Sequence, residues 1–105
     1  MPAIIVITTT PNLEPAQSVA KLLVRQKLAA CVSVLDRAYS YYRWKGKITR
    51  AREALILIKT TKKNFAQVEQ ALKRTHPYEV PEIIAVPIVL GSKKYLSWLE
   101  SSVRH

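Results

Sequence analysis

Continuous apolar runs alternate along the chain with stretches of helical periodicity. Runs rich in aliphatic and β-branched residues predict strands. These runs cover residues 3–10, 28–44, 48–61 and 83–90. Lys45 and Gly46 separate the two longest runs, which indicates a long β-hairpin with these two residues at its tip. Pro87 lies inside the last run and interrupts it, because proline has no backbone N–H to donate.

Apolar residues recur at helical spacing in the segments between these runs. The predicted inward faces consist of Ala16, Val19, Ala20 and Leu23, of Phe65, Val68 and Leu72, and of Leu96 and Leu99. Asn12 can cap the first helix, with Pro15 in its first turn. The second helix is predicted over residues 62–74, and Ser92 begins a short third helix.

The resulting order is strand, helix, strand, strand, helix, strand and a short C-terminal helix. This order predicts an α+β fold of the ferredoxin-like βαββαβ plan, as a single domain over residues 1–105. Apolar side chains stand at successive positions in residues 4–7, 54–58 and 83–86. Because both faces of such strands need burial, and a third helix is too short to cover the second face, we expect a homo-oligomer that involves the long hairpin.

Composition and cysteine count exclude several classes of protein and of metal site. Hydrophobic residues make up 49% of the 105 residues, yet no apolar run approaches the roughly 18 residues that a membrane span needs. No secretory signal pattern occurs at the start of the chain, so we expect a soluble cytoplasmic protein without membrane partners. Cys31 is the only cysteine, which excludes an internal disulfide and a zinc site built from several thiolates of one chain.

Positive charge is concentrated in the predicted hairpin. The net charge is +10, and six basic residues lie between Arg37 and Arg52 without an acid. On an extended strand, alternate positions share a face. A basic stripe with interleaved aromatics is therefore predicted from Arg37, Tyr39, Tyr41, Arg43, Lys45 and Lys47. Such a stripe suits single-stranded nucleic acid. Because the RNP sequence of ferredoxin-like RNA-binding modules is absent, a solvated edge that resists aggregation is the favoured interpretation.

A proline-framed segment near the end of the second predicted helix carries the most concentrated polar chemistry. Pro77 and Pro81 stiffen this segment and keep the residues before them out of the helical region. His76, Tyr78, Glu79 and Glu82 are the polar residues of the segment. The segment is therefore predicted to present a site.

Five short motifs, in order along the chain, resemble the CutA divalent-cation tolerance proteins. They are Leu28-Ala29-Ala30-Cys31-Val32, Trp44 with Gly46-Lys47, Ile58-Lys59-Thr60-Thr61, His76-Pro77-Tyr78 with Pro81-Glu82-Ile83, and Tyr95-Leu96-Ser97-Trp98-Leu99. The resemblance implies a homotrimer, a cytoplasmic location in bacteria and a role in tolerance to copper and other divalent metals. Lys45 stands where the family usually carries an acid, and Arg43 where an aromatic residue is common, so the hairpin tip is not expected to attract cations here.

The resemblance also implies a role for Cys31, because copper binding in the family is tied to the cysteine at this position. A thiolate suits Cu(I), and an imidazole accepts either copper ion, so Cys31 and His76 are the predicted metal ligands. The alternatives are a small core residue for Cys31 and a capping or hydrogen-bonding role for His76. Two ligands from one chain make a weak site, and trimer symmetry is expected to supply the others. Lys59, Trp44, Tyr78 and Glu82 are predicted to line a pocket between subunits; an ion pair of Lys59 with Glu82 is the alternative.

No catalytic constellation is evident, and we expect the protein not to be an enzyme. Ser92 lacks a nucleophile-elbow context, and Gly91 stands alone rather than in a phosphate-binding loop. The predicted function is metal binding by a trimer in the response to divalent cations. The alternative is a regulatory or scaffolding trimer, comparable to the PII signal proteins, that binds a small anion between subunits.

Overall fold

Strands and helices follow one another in the order that the sequence predicts. The computed structural model describes residues 2–105. Its elements are β1 (Ala3–Thr10), α1 (Leu13–Arg25), β2 (Cys31–Trp44), β3 (Lys47–Thr61), a 3-10 turn (Lys62–Asn64), α2 (Phe65–Thr75), β4 (Ile83–Pro87) and α3 (Lys93–Ser101). The second predicted helix therefore begins with a 3-10 turn and extends one residue further, to Thr75.

The strands form one antiparallel sheet in the order β2-β3-β1-β4, which confirms the ferredoxin-like plan. Helices α1 and α2 cover one face of this sheet. The core between the helices and the sheet is built from fully buried aliphatic side chains, among them Val6, Leu23, Ile56, Ile58, Val68 and Leu72. The predicted inward helical positions supply part of this core because their spacing places them on one side of each helix.

The fourth strand is shorter than the sequence predicts. It ends at Pro87 rather than continuing to Leu90, and Val89 and Leu90 are 82% and 88% exposed. The pairing of β4 with β1 ends at this residue, and one further backbone hydrogen bond, from the N–H of Ile88 to the carbonyl of Ala3 at 3.0 Å, leads the chain out of the sheet. Helix α3 begins as predicted, with the hydroxyl of Ser92 accepting a hydrogen bond from the backbone of Tyr95 at 3.2 Å.

The long hairpin of β2 and β3 has the predicted tip and an unpredicted irregularity. Lys45 and Gly46 have φ of 51° and 78°, and positive φ at both positions matches the tight hairpin turn whose twist suits the flanking strands. A β-bulge lies between Leu35 and Ala38, and Arg37 within it has φ of 66°. The bulge bends β2 and changes which side chains share a face beyond it.

The face of the sheet opposite α1 and α2 is the open face. Its aliphatic side chains, assigned from the strand register, are Ile5, Ile7, Leu35, Leu55, Leu57, Ile84 and Val86. Leu35, Ile84 and Val86 are between 42% and 50% exposed. Helix α3 packs on Ala3 and Ala30 at one end of the sheet, and Tyr78 of the proline-framed segment reaches Glu53 at the other, while the aliphatic side chains between them stay partly exposed within residues 2–105. No helix in this range is long and apolar enough to cross a membrane.

Candidate functional site

A cavity of about 610 Å³ lies where the hairpin meets the proline-framed segment. Its wall consists of Thr9, Ser40, Tyr41, Tyr42, Trp44, Glu53, Pro77, Tyr78, Glu79, Val80 and Glu82. Trp44, Tyr78 and Glu82 are three of the four residues predicted to line a pocket, and the structure brings them together within one chain. A cavity of this volume is in the range that accommodates small molecules.

Glu53 lies in the wall of the cavity and is only 6% exposed. Its Oε2 accepts hydrogen bonds from the hydroxyl groups of Tyr78, at 2.9 Å, and Thr9, at 3.2 Å. A buried carboxylate needs such donors because burial removes its hydration. The three side chains tie the proline-framed segment to β1 and β3, so the wall of the cavity is held by a hydrogen-bonded network.

His76 links Tyr78 to β1, because one ring nitrogen contacts Thr9 and the other contacts Tyr78. Nε2 contacts the backbone carbonyl oxygen of Thr9, which can only accept, so Nε2 carries the hydrogen. Nδ1 accepts a hydrogen bond from the backbone N–H of Tyr78 at 3.2 Å, and the two rings lie 4.8 Å apart. His76 follows α2 with φ of −84° and ψ of 129°, the extended geometry predicted for a residue before proline.

The pKa of Tyr78 is raised to about 12. Burial is the largest cause, and the hydrogen bond to Glu53 and the negative charge of that carboxylate add to it, with a smaller contribution from Tyr42. Each of these favours the neutral phenol. Tyr78 therefore donates its hydrogen bond to Glu53 throughout the neutral pH range.

Replacing Tyr78 with phenylalanine tests this network through its pH dependence. Because the folded pKa lies above the unfolded value of about 10, the stabilisation from the neutral phenol is complete below pH 10 and is lost as the pH rises to about 12. We expect Tyr78→Phe to lower the free energy of unfolding at pH 8 by about 1 kcal/mol and to remove this alkaline loss. Urea unfolding at several pH values, with the phenolate absorbance, measures both effects.

Tyr41→Phe is the matched control, because Tyr41 is 68% exposed. This variant should retain the wild-type loss of stability between pH 10 and 12. An unchanged alkaline profile in Tyr78→Phe, or the same change in both variants, would contradict the assigned role of the Tyr78–Glu53 hydrogen bond.

The cavity is acidic although the protein is strongly basic. Glu53, Glu79 and Glu82 are three of the seven acidic residues of the chain. None of the lysines and arginines within residues 2–105 lines the cavity. The electrostatic potential there favours a cation and opposes an anion, and Trp44 and Tyr42 offer ring faces that also attract cations.

Cys31 and Lys59 lie elsewhere on the sheet. They are opposite each other on β2 and β3, and the ammonium group of Lys59 is 2.7 Å from the Ser33 hydroxyl and 3.8 Å from the Cys31 sulfur. Lys59 therefore contacts neither the cavity wall nor, within residues 2–105, the carboxylate of Glu82.

The two predicted metal ligands are not brought together in one chain. Cys31 and Lys59 are level with Ile5 of β1, whereas His76 contacts Thr9, four residues or about 13 Å further along that strand. No cluster of three or more histidine, cysteine, aspartate or glutamate side chains among the described residues could hold a metal ion. A site that uses both Cys31 and His76 needs ligands from more than one chain.

The predicted basic stripe does not lie on one face of the hairpin. Arg37 is in the bulge, and Lys45 is in the turn. Lys47 pairs with Trp44 and shares its face, whereas Arg43 pairs with Ile48 on the opposite face. Simple alternation fails because the bulge and the turn each interrupt the two-residue repeat.

The sequence reasoning missed Glu53, Thr9, Ser40 and Tyr42 as members of the site. One signal for Glu53 was available, since it is the only acid between Asp36 and Glu69 and directly precedes a wholly apolar stretch. An isolated carboxylate in that position has to find donors when the strand is buried.

Comparison with known proteins identifies related chains along the whole length. Residues 4–102 match the family described as "CutA1 divalent ion tolerance protein". The "Divalent-cation tolerance protein CutA" of Thermus thermophilus is 43% identical over 98 residues, which cover 93% of this chain and 95% of that protein. "Protein CutA, chloroplastic" of Arabidopsis thaliana is 41% identical over 105 residues, and this chain spans 58% of its length.

A solved structure has the same fold. The crystal structure of CutA1 from Oryza sativa superposes with a TM-score of 0.95 at 40% identity, over 99% of this chain and 95% of that one. The sheet, the helices and the long hairpin of this chain therefore form a fold that is also found in experimentally determined relatives.

Proposed function

Because this chain belongs to the CutA1 divalent ion tolerance family, we propose that it acts in divalent-cation tolerance as a cation-binding trimer rather than as an enzyme. The cation enters the acidic cavity between the hairpin and the proline-framed segment. The observation that carries this proposal is that, among the described residues, Glu53, Glu79 and Glu82 line one cavity without a lysine or arginine in a protein with net charge +10, although the three are not clustered closely enough to hold one ion jointly. Carboxylate oxygens are ligands of hard divalent cations.

The ion that fits these donors keeps part of its water shell. Glu79 and Glu82 are exposed at the rim, and Glu53 already accepts two hydrogen bonds. Divalent ions bound by one or two carboxylates retain several waters. Binding of this kind is weak and reversible, which suits a protein that responds to the concentration of a cation.

A titration with Mn²⁺, followed by its paramagnetic signal, tests the cavity. We expect the double variant Glu79→Gln, Glu82→Gln to bind Mn²⁺ about tenfold or more weakly, because two attractive charges are removed at short range. The double variant Glu14→Gln, Glu69→Gln has the same net charge and should bind like the wild type. Equal affinities in the two double variants would refute the cavity as the cation site.

Copper binding through Cys31 and His76 is a separate proposal that needs the trimer. It requires ligands from different subunits, and His76 must release one of the two partners of its ring. The ammonium group of Lys59, 3.8 Å from the Cys31 sulfur, repels an incoming cation. Copper titrations of Cys31→Ser and His76→Ala test this pair, and unchanged stoichiometry and affinity in both variants would remove it.

The trimer is supported by the aliphatic side chains of the open face. An apolar sheet face of this extent requires a cover, and further copies of the chain supply one. The symmetry of the assembly then sets where the cavities lie relative to subunit boundaries, and a pocket completed by Lys59 of a neighbouring subunit stays a prediction. A cytoplasmic location also stays a prediction; the Arabidopsis relative is named as chloroplastic.

The volume of the cavity favours a regulatory trimer as the second candidate function. About 610 Å³ accommodates a small organic molecule, and the aromatic and carboxylate wall favours a cationic one over the anion that the sequence suggested. Thermal stabilisation by organic amines in the presence of a metal chelator would support this candidate. Stabilisation only by nucleotides or phosphorylated metabolites would contradict the cationic preference.

A further inference from the structure

Three arginines and two tyrosines form an exposed surface on the projecting part of the hairpin. This surface, the hairpin outer face, consists of Tyr39, Tyr41, Arg43, Ile48, Arg50 and Arg52. The strand register places it on the side of the sheet that α1 and α2 cover elsewhere. All six residues are exposed, and Tyr39, Tyr41 and Ile48 are 53%, 68% and 74% exposed. The register set by the turn groups these side chains on one face, and the bulge places that face on the opposite side of the sheet from Leu35.

Arginines of β3 face tyrosines of β2 on this surface. Arg52 is directly opposite Tyr39, and Arg50 is opposite Tyr41. The guanidinium carbon of Arg50 lies 5.0 Å from the centre of the Tyr39 ring. Successive side chains on the same face of a strand are about 6.6 Å apart, so the rows of charges and rings repeat at a spacing close to that of an extended polymer backbone.

No acidic residue belongs to the hairpin outer face, so its charge is of a single sign. Guanidinium groups bind phosphates with two parallel hydrogen bonds and also stack on flat rings. Tyrosine rings provide platforms on which unpaired bases stack irrespective of their identity. A surface with both groups in facing rows matches a polymer that carries phosphates along its backbone and bases beside it.

We propose that the hairpin outer face binds single-stranded nucleic acid without sequence preference. Phosphates contact Arg43, Arg50 and Arg52, and unpaired bases stack on Tyr39 and Tyr41. Paired bases do not offer their ring faces, so a duplex binds more weakly than a single strand. The face is on the other side of the sheet from the aliphatic open face, and a trimer assembled through the open face leaves it in solvent.

Fluorescence anisotropy with a labelled oligouridylate of about 12 nucleotides tests this proposal on the full-length protein. The first variant removes the three guanidinium groups: Arg43→Gln, Arg50→Gln and Arg52→Gln. The control removes three exposed charges on α1 and α3: Lys21→Gln, Lys93→Gln and Lys94→Gln. Both variants have the same net charge, so a difference between them cannot arise from overall charge.

The wild type and the lysine variant are expected to bind the oligouridylate alike. The arginine variant should bind about tenfold or more weakly at low salt, and the slope of log affinity against log salt should become shallower by about two. Tyr39→Leu, with its charge unchanged, should weaken binding to the single strand but not its salt slope. Circular dichroism and sedimentation confirm that each variant keeps its fold and assembly.

Three results would overturn the proposal. One is equal binding of oligouridylate by the arginine and lysine variants, which would assign binding to net charge alone. Another is a duplex of the same length binding as tightly as the single strand. The third is binding of the wild type to phosphatidylserine vesicles, lost in the arginine variant, without binding to oligouridylate at low salt; the face would then be a membrane-surface site.

Discussion

Replacing Leu57 with glutamate is expected to convert the proposed oligomer into folded monomers. The side chain of Leu57 lies on the open face, level with Ile7 on β1 and Ser33 on β2. A carboxylate introduced there becomes buried against another subunit without a partner, which costs several kcal/mol per ion. Because that face is uncovered in one chain, the protomer itself tolerates the charge. Sedimentation equilibrium at micromolar concentration measures the change, and circular dichroism reports the fold.

Ile48→Glu provides the matched control for the assembly. It also adds one negative charge to an aliphatic position of β3, but Ile48 is 74% exposed on the hairpin outer face. This variant should remain an oligomer. A trimer that survives Leu57→Glu, or one that dissociates equally in Ile48→Glu, would show that the open face is not the interface. Unfolding of Leu57→Glu would instead assign Leu57 to the core of the protomer.

Truncating Ile56 to alanine should lower the free energy of unfolding by about 2–5 kcal/mol. Ile56 is fully buried on a strand with neighbours on both sides, and its side chain belongs to the core beneath the helices. The loss combines the transfer free energy of the removed methyl and methylene groups with the cavity they leave. Urea unfolding at one fixed protomer concentration measures it, because the stability of an oligomer depends on concentration.

Ile48→Ala makes the same chemical change at an exposed position of the same strand. Its effect should remain within about 0.5 kcal/mol of zero. A similar loss in the two variants would mean that strand propensity, rather than burial, dominates the effect at Ile56. The pair therefore separates core packing from the intrinsic preference of the residue for a strand.

The proposed activities of the molecule lie on different faces of the sheet. Under these proposals, the aliphatic open face serves assembly, and the arginine-rich outer face of the hairpin serves a polyanion. The acidic cavity lies where the hairpin meets the proline-framed segment, and its carboxylates face a different ligand from that of the arginines. Opposite charges on neighbouring surfaces keep the two ligands apart, because each surface repels the ligand of the other.

Much of the fold follows from local chemistry that is legible in the sequence. The apolar run of β1, the two-residue tip at Lys45 and Gly46, and the end of α2 before His76 each depend on neighbouring residues alone. Pro87 also indicated where β4 ends, although the predicted strand extended past it. The predicted strands were too long at two ends, since β4 stops at Pro87 rather than Leu90 and β2 begins at Cys31 rather than Leu28.

Part of the candidate site was also predictable. The proline-framed segment indicated a stiff loop, and Tyr78 and Glu82 do line the cavity together with Trp44. Lys59, predicted for a pocket between subunits, lies on the open face beside Cys31 in one chain, and its place in a pocket between subunits stays a prediction. Glu53 was missed because its importance comes from Tyr78 and Thr9, which are distant in sequence and meet it only through the sheet and the loop.

The sequence by itself determined the order of elements, the hairpin tip and the excess of positive charge, because each depends on residue type and on contacts between near neighbours. Tertiary structure alone decided which side chains share a surface. The bulge at Arg37, a residue without the usual preference for positive φ, reverses the alternation of β2 and so places Leu35 and Tyr39 on opposite faces. The strand register and the loops bring together residues that are far apart in the chain. Packing and hydrogen bonds between those distant residues stabilise the register, so it cannot be read from near neighbours.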